Sequence, residues 1–292
     1  MKIARVMSIV LFVLALSAFI FYTFYSRQTS DFSAPVISAE SDTITAPVNV
    51  TDEELLAGMK AIDNLNGDVT NTLVVASLSK FVKKNTRNVT YAAFDQNNNV
   101  GKYTRELTYT DYVPPRFVLH APLIFHQNDT QDNNTISSLI KAEDVLDGNI
   151  SSQIMLTRGD RYTYDENSER QAIDVQVSNR AGDTASLELE VQFLSYAAFN
   201  RQAPDLQDYI LYTEVGRMPD FRENIKGVRS GTCTAALPDT HFDLWSDFRI
   251  DTSNVDFNTP GVYTVIYFLS TDESGERQQL GSAEMILVVE EP

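Results

Sequence analysis

Residues 61–70 read Ala-Ile-Asp-Asn-Leu-Asn-Gly-Asp-Val-Thr, and residues 142–151 read Ala-Glu-Asp-Val-Leu-Asp-Gly-Asn-Ile-Ser. Four positions are identical and four more are close exchanges. Asp63 returns as Asp144, and Gly67 as Gly148, both 81 residues on (144 − 63 and 148 − 67). A spacing that long marks a repeated domain, because solenoid repeats are shorter. Asp and Asn side chains bond their own backbone, and glycine takes a positive φ without strain, so the stretch reads as a turn. Val69 and Ile150 then open β-branched runs.

Upstream, Thr51-Asp52-Glu53-Glu54 is a capping box ahead of Leu55, Leu56 and Met59, which predicts one short helix. Ile136, Leu139 and Ile140 hold the same place in the second copy. Later in the chain Leu187, Leu189, Val191 and Phe193 alternate with Ser186, Glu188, Glu190 and Gln192. That is an antiparallel strand with one dry and one wet face. Pro35, Pro115 and Pro204 each open a unit, which gives three units of the size of a β-sandwich.

The motif Ala-x-Asp-x-x-Asp/Asn-Gly-Asp/Asn-Val/Ile-Thr/Ser resembles that of bacterial immunoglobulin-like surface repeats, relatives of hyalin-type and cadherin-like sandwiches. The later half of that pattern, Tyr-Thr-Val-x-Tyr followed by Asp and Gly, is similar to three stretches. Val89-Thr90-Tyr91 to Asp95 fits loosely, Ile173-Asp174-Val175 to Asn179 and Gly182 fits better, and Gly261 to Tyr267 with Asp272 and Gly275 fits best. The resemblance makes Asp95, Asn179 and Asp272 equivalent. It implies an all-β chain: three tandem immunoglobulin-like β-sandwiches at residues 34–112, 113–196 and 204–292, the third divergent because it lacks the Asp-Gly turn. Residues 1–33 form a cytoplasmic stub, a transmembrane signal-anchor and a linker.

The anchor is Val6 to Tyr25, 20 residues broken only by Ser8, Ser17 and Thr23. This is enough to cross a hydrocarbon core of ~30 Å. It outruns a signal peptide's apolar region of roughly 7–15 residues, which favours an uncleaved anchor over a cleaved leader. Lys2 and Arg5 precede it and keep the N-terminus in the cytoplasm, which sends the repeats outside the cell membrane. The formal net charge is −17. A chain so acidic repels nucleic acid and anionic headgroups. Cys233 is the sole cysteine, so no intrachain disulfide forms, which suits a bacterial surface better than a eukaryotic one.

Chemistry is sparse. Asp63, Asn66 and Asp68, and again Asp144, Asp147 and Asn149, set oxygens around a glycine in the manner of calcium ligands. Calcium wants roughly six to eight oxygens and each loop offers three side chains, so turn formation is the expectation and no cofactor is assigned. His120, His126 and His241 are too scattered for zinc. No Gly-x-Ser-x-Gly occurs, and Cys233 with His241 is a weak thiol–base pair, so no enzyme is expected. Leu237-Pro238-Asp239-Thr240-His241 departs from a sortase signal at its last residue and lacks the tail that should follow. In His241–Phe248 an extended chain puts Phe242, Leu244 and Phe248 on one face, and Trp245 is expected in the core. An exposed Trp245 flanked by Asp243 and Asp247 would instead stack on a sugar ring. The expected function is adhesion, spacing or protein–protein interaction with an unknown surface protein. The alternative is a cell-wall or glycan-binding module with the third domain as its binding end.

Overall fold

The computed structural model describes residues 2–29, 32–129, 131–273 and 276–291. Ser274 and Gly275 of the third repeat's motif, and Ser30 and Asp31 of the linker, lie outside them. The chain forms two compact units, residues 1–112 and 113–292. The first begins with an α-helix over Lys2–Thr29. Within it Val6–Tyr25 has a mean hydropathy of 2.4, and none of its residues is buried in the protein.

Three β-sandwiches follow, and the described residues give each the same plan: a three-stranded sheet facing a four-stranded sheet. In the first, Val36–Ala39, Met59–Asp63 and Gly67–Asp68 form the small sheet. Thr43–Ala46, Val100–Tyr109, Thr86–Phe94 and Val74–Lys83 form the large one. The second sandwich sets Arg116–Leu119, Ile140–Asp144 and Gly148–Asn149 against Met155–Asp165, Ser168–Ser178, Thr184–Leu194 and Ile124–His126. The third sets Ala203–Leu206, Ile225–Ser230 and Cys233–Ala236 against Ile210–Glu214, Glu276–Glu290, Gly261–Glu273 and Phe248–Asp251. In every sandwich the second strand leaves the small sheet and pairs in parallel with the last long strand, as Ile124–His126 does on Gln192–Leu194. Seven strands arranged this way are an immunoglobulin-like sandwich.

Alternation decides which face is dry. Ile173, Val175 and Val177 meet Leu187, Leu189, Val191 and Phe193 inside, and all seven are buried. Thr51 makes both halves of its capping box with Glu54, which starts the helix Asp52–Leu56 and drops Leu55 into the core. Tyr91 and Tyr267 are buried too, and each turns its hydroxyl onto a backbone carbonyl, of Leu55 at 3.0 Å and Phe221 at 3.1 Å.

Three expectations change. Residues 241–247 are a turn rather than a strand, because Asp243 accepts the N–H groups of Trp245 and Ser246. Phe242 and Phe248 still point inward, while Trp245 is 71% exposed and not a core residue. Asp272 sits within a strand, paired with Arg277, whereas Asp95 and Asn179 occupy turns just past theirs.

Gly67 and Gly148 adopt φ of +73° and +69°. Nothing lies within 4 Å of a Cβ built on either, so the demand there is purely conformational. Gly148→Val should therefore destabilise residues 113–292 by about 1–3 kcal/mol through backbone strain alone. Urea unfolding would show the lower midpoint with an unchanged slope.

Candidate functional site

The Asp-Gly motif is built from the inside. Asp144 is buried, and its Oδ1 accepts the N–H groups of Leu146 and Asp147, both at 2.9 Å. Its Oδ2 accepts Nδ2 of Asn179 at 2.9 Å. Asp147 Oδ2 takes the N–H of Arg180, and Asn149 Oδ1 that of Ser151. The Ser151 hydroxyl accepts the Ala142 N–H at 2.9 Å. In the first copy Asp63 Oδ2 accepts Leu65 N–H and Asn66 N–H, Asn66 Oδ1 accepts Gln96 N–H, and Asp68 Oδ1 accepts Thr70 N–H. The bonds from Thr70 hold the exposed Asp68 carboxyl below its ordinary pKa, the hydroxyl contributing most. Each oxygen in these bonds serves a backbone or amide N–H, which is the turn chemistry the sequence suggested. Among the described residues no group of three or more His, Cys, Asp or Glu is placed to hold a metal.

Trp245, Asp243 and Asp247 do come together. Arg222 donates to the carbonyls of Leu244 and Phe248 and lies 4.5 Å from the Trp245 ring centroid. It pins the turn and covers part of the indole, while most of Trp245 stays in solvent. Asp243 Oδ1 is committed to the turn, and bonds from the Ser246 and Trp245 amides hold its carboxyl below the usual range. Asp247 Oδ2 accepts the Asp243 N–H at 2.8 Å. The result is an exposed aromatic ring presented on a hydrogen-bonded, acidic turn.

The second and third sandwiches share one continuous hydrophobic core from Phe117 to Val289. Polar contacts reinforce the joint. The Tyr212 hydroxyl oxygen accepts the Phe117 N–H at 2.8 Å. The Arg116 guanidinium pairs with Glu290 and lies over the Tyr212 ring. Arg170 bridges Glu190 of the second sandwich and Glu284 of the third. His120 bonds Asp208 at 2.7 Å. Beside Arg170 a cleft of about 470 Å³ opens, walled by Pro122, Ile124, Glu188, Glu190, Val262 and Glu284. Sequence reasoning missed this joint and cleft, because their residues are far apart in the chain.

Cys233 is exposed on the strand Cys233–Ala236, and the His241 ring packs on Phe242 with centroids 4.1 Å apart. His126 lies against Tyr196 and Phe199.

No protein-family model and no curated protein matches the sequence. Among solved structures, the chain is similar to one of Clostridium perfringens ZmpB that comprises its catalytic domain and two CBM51 domains. The identity is 12%, over 90% of this chain and 31% of that one, with a TM-score of 0.21. It is similar to the protocadherin GammaB4 extracellular domain at 13% identity, over 89% and 50% of the two chains, with a TM-score of 0.20. It is similar to mouse cadherin-23 EC22-24 at 10% identity, over 89% and 99%, again with a TM-score of 0.20. The chain spans less than two thirds of the length of the ZmpB and protocadherin structures.

Burial pushes the Tyr212 and Tyr267 phenols from 10.0 up to about 12. Tyr209 rises further, from burial first and then the carboxylate of Asp205. A raised phenol keeps its proton in the folded state. The stability it contributes is whole below the unfolded value of about 10 and is lost as the pH climbs through about 12. The unfolding free energy of residues 113–292, measured by urea unfolding at a series of pH values, should fall across that window.

Proposed function

We propose that this chain is a membrane-anchored surface protein of tandem immunoglobulin-like domains, of the bacterial surface-repeat kind, that binds and does not catalyse. Its units are residues 34–112, 113–196 and 204–292, and its role is adhesion, spacing or protein–protein interaction outside the cell membrane. The observation that carries this reading is the helix Val6–Tyr25, which is apolar along its length and unburied, and which leads into sandwiches. A side-chain surface this apolar calls for lipid. Lys2 and Arg5 before it set the orientation.

Trp245 favours glycan as the ligand and the third sandwich as the binding end. A large aromatic exposed on a structured turn is the type of residue that dominates binding surfaces. The acidic side chains around it suit the hydroxyl groups of a sugar better than phosphate or nucleic acid.

Residues 34–292 applied to an array of surface glycans should show selective binding. Trp245→Ala should weaken it at least tenfold, about 1.4 kcal/mol or more, as expected of a tryptophan hot spot. Binding that survives this substitution unchanged would move the contact elsewhere, and an array without any signal would leave protein partners as the reading.

A further inference from the structure

We propose that the first sandwich holds a divalent metal cation, calcium by its oxygen chemistry, between Asp63 and Asp95, at a place where the second sandwich holds an amide hydrogen. This goes beyond surface binding and rests on a comparison of the two repeats within one chain.

The two repeats make the same contacts at this place, up to one exchange. Asp63 Oδ2 accepts the N–H groups of Leu65 at 2.9 Å and Asn66 at 2.7 Å, as Asp144 Oδ1 accepts those of Leu146 and Asp147. Asn66 Oδ1 accepts the Gln96 N–H, as Asp147 Oδ2 accepts that of Arg180. Asp95 follows the strand Thr86–Phe94, as Asn179 follows Ser168–Ser178. Both begin a turn closed in the same way, from Asp95 N–H to the Asn99 carbonyl and from Asn179 N–H to the Asp183 carbonyl. Only the facing group differs. Asn179 supplies a hydrogen to the second oxygen of Asp144. The first repeat has a carboxylate in that position, which has none to give.

The consequence is visible at Asp63. Its Oδ1 is buried without any hydrogen-bond partner, and the side chain is only 3% exposed. Asp95 is 7% exposed, and its donors are Asn97 N–H, Asn99 N–H and Asn99 Nδ2. By correspondence with the Asn179–Asp144 contact, the Asp95 carboxylate takes the place opposite Asp63 Oδ1, and two buried carboxylates so placed call for a positive charge between them. The loops offer none. Residues 63–68 and 95–99 contain no Lys, Arg or His, whereas the second repeat carries Arg180 in the matching loop. They contain Asn64, Asn66, Gln96, Asn97, Asn98 and Asn99, all bearing neutral oxygens. Two carboxylates balance a divalent charge, and amide, carbonyl and water oxygens complete the shell that calcium accepts.

Hydrogen exchange on the full-length chain in detergent tests the proposal. With calcium at about 100 times its dissociation constant, amides of residues 60–72 and 92–101 that open together should exchange up to about 100-fold more slowly than in chelator. Residues 140–153 and 176–185 should be unaffected. Asp95→Asn should abolish the calcium effect and raise protection in chelator, because the new amide donates as Asn179 does. Identical exchange in calcium, magnesium and chelator would overturn the proposal. So would an equal calcium effect on both repeats. Protection gained in Asp95→Asn with no metal effect in the unmodified chain would also overturn it, and would assign the charge between the carboxylates to a shared proton.

Discussion

A buried carboxylate has to be given hydrogen-bond donors, and the two related sandwiches are arranged around that requirement at Asp63 and Asp144. Asp144 collects two amides from its own turn and one from Asn179, at the end of a strand in the opposite sheet. One side chain thus fixes the turn and fastens small sheet to large sheet. The rest of the motif follows. Gly148 supplies the positive φ, Ile150 plugs the core, and Ser151 satisfies the backbone of Ala142. The third sandwich lacks the motif but meets the same demand with Asp205, which is 4% exposed and bonded by Tyr209 and Thr234 hydroxyls.

Features set by neighbours in the chain are legible in the amino-acid sequence. The capping box at Thr51, the repeated turn, and the alternation from Ser186 to Phe193 each state a local geometry, and each is present. Features set by distant partners are not legible in that way. Nothing near Trp245 announces that Asp243 will fold the chain into a turn and leave the indole outside. Asp205 carries no signature, because its partners sit 4 and 29 residues away on separate elements. The exchange of Asn179 for Asp95 is plain in the sequence, yet its meaning depends on the contact between Asp144 and Asn179, 35 residues apart.

The second and third sandwiches depend on a different constraint. Their shared core, the Arg170 bridge and the Tyr212 bond join them into one compact unit, in which the Trp245 turn is carried on a firm base. Arg222 bonds the turn and lies against the Trp245 ring, and the proposed glycan contact would use the face of the indole left in solvent.

The proposed surface role requires that the N-terminal helix, long and apolar enough to cross a membrane, leave these sandwiches outside it. Cys233 makes that directly measurable, because it is the chain's sole cysteine and its side chain is exposed. A membrane-impermeant maleimide applied to intact cells should label it as fully as in cells opened with detergent. Labelling that requires detergent would place the sandwiches inside and contradict the account.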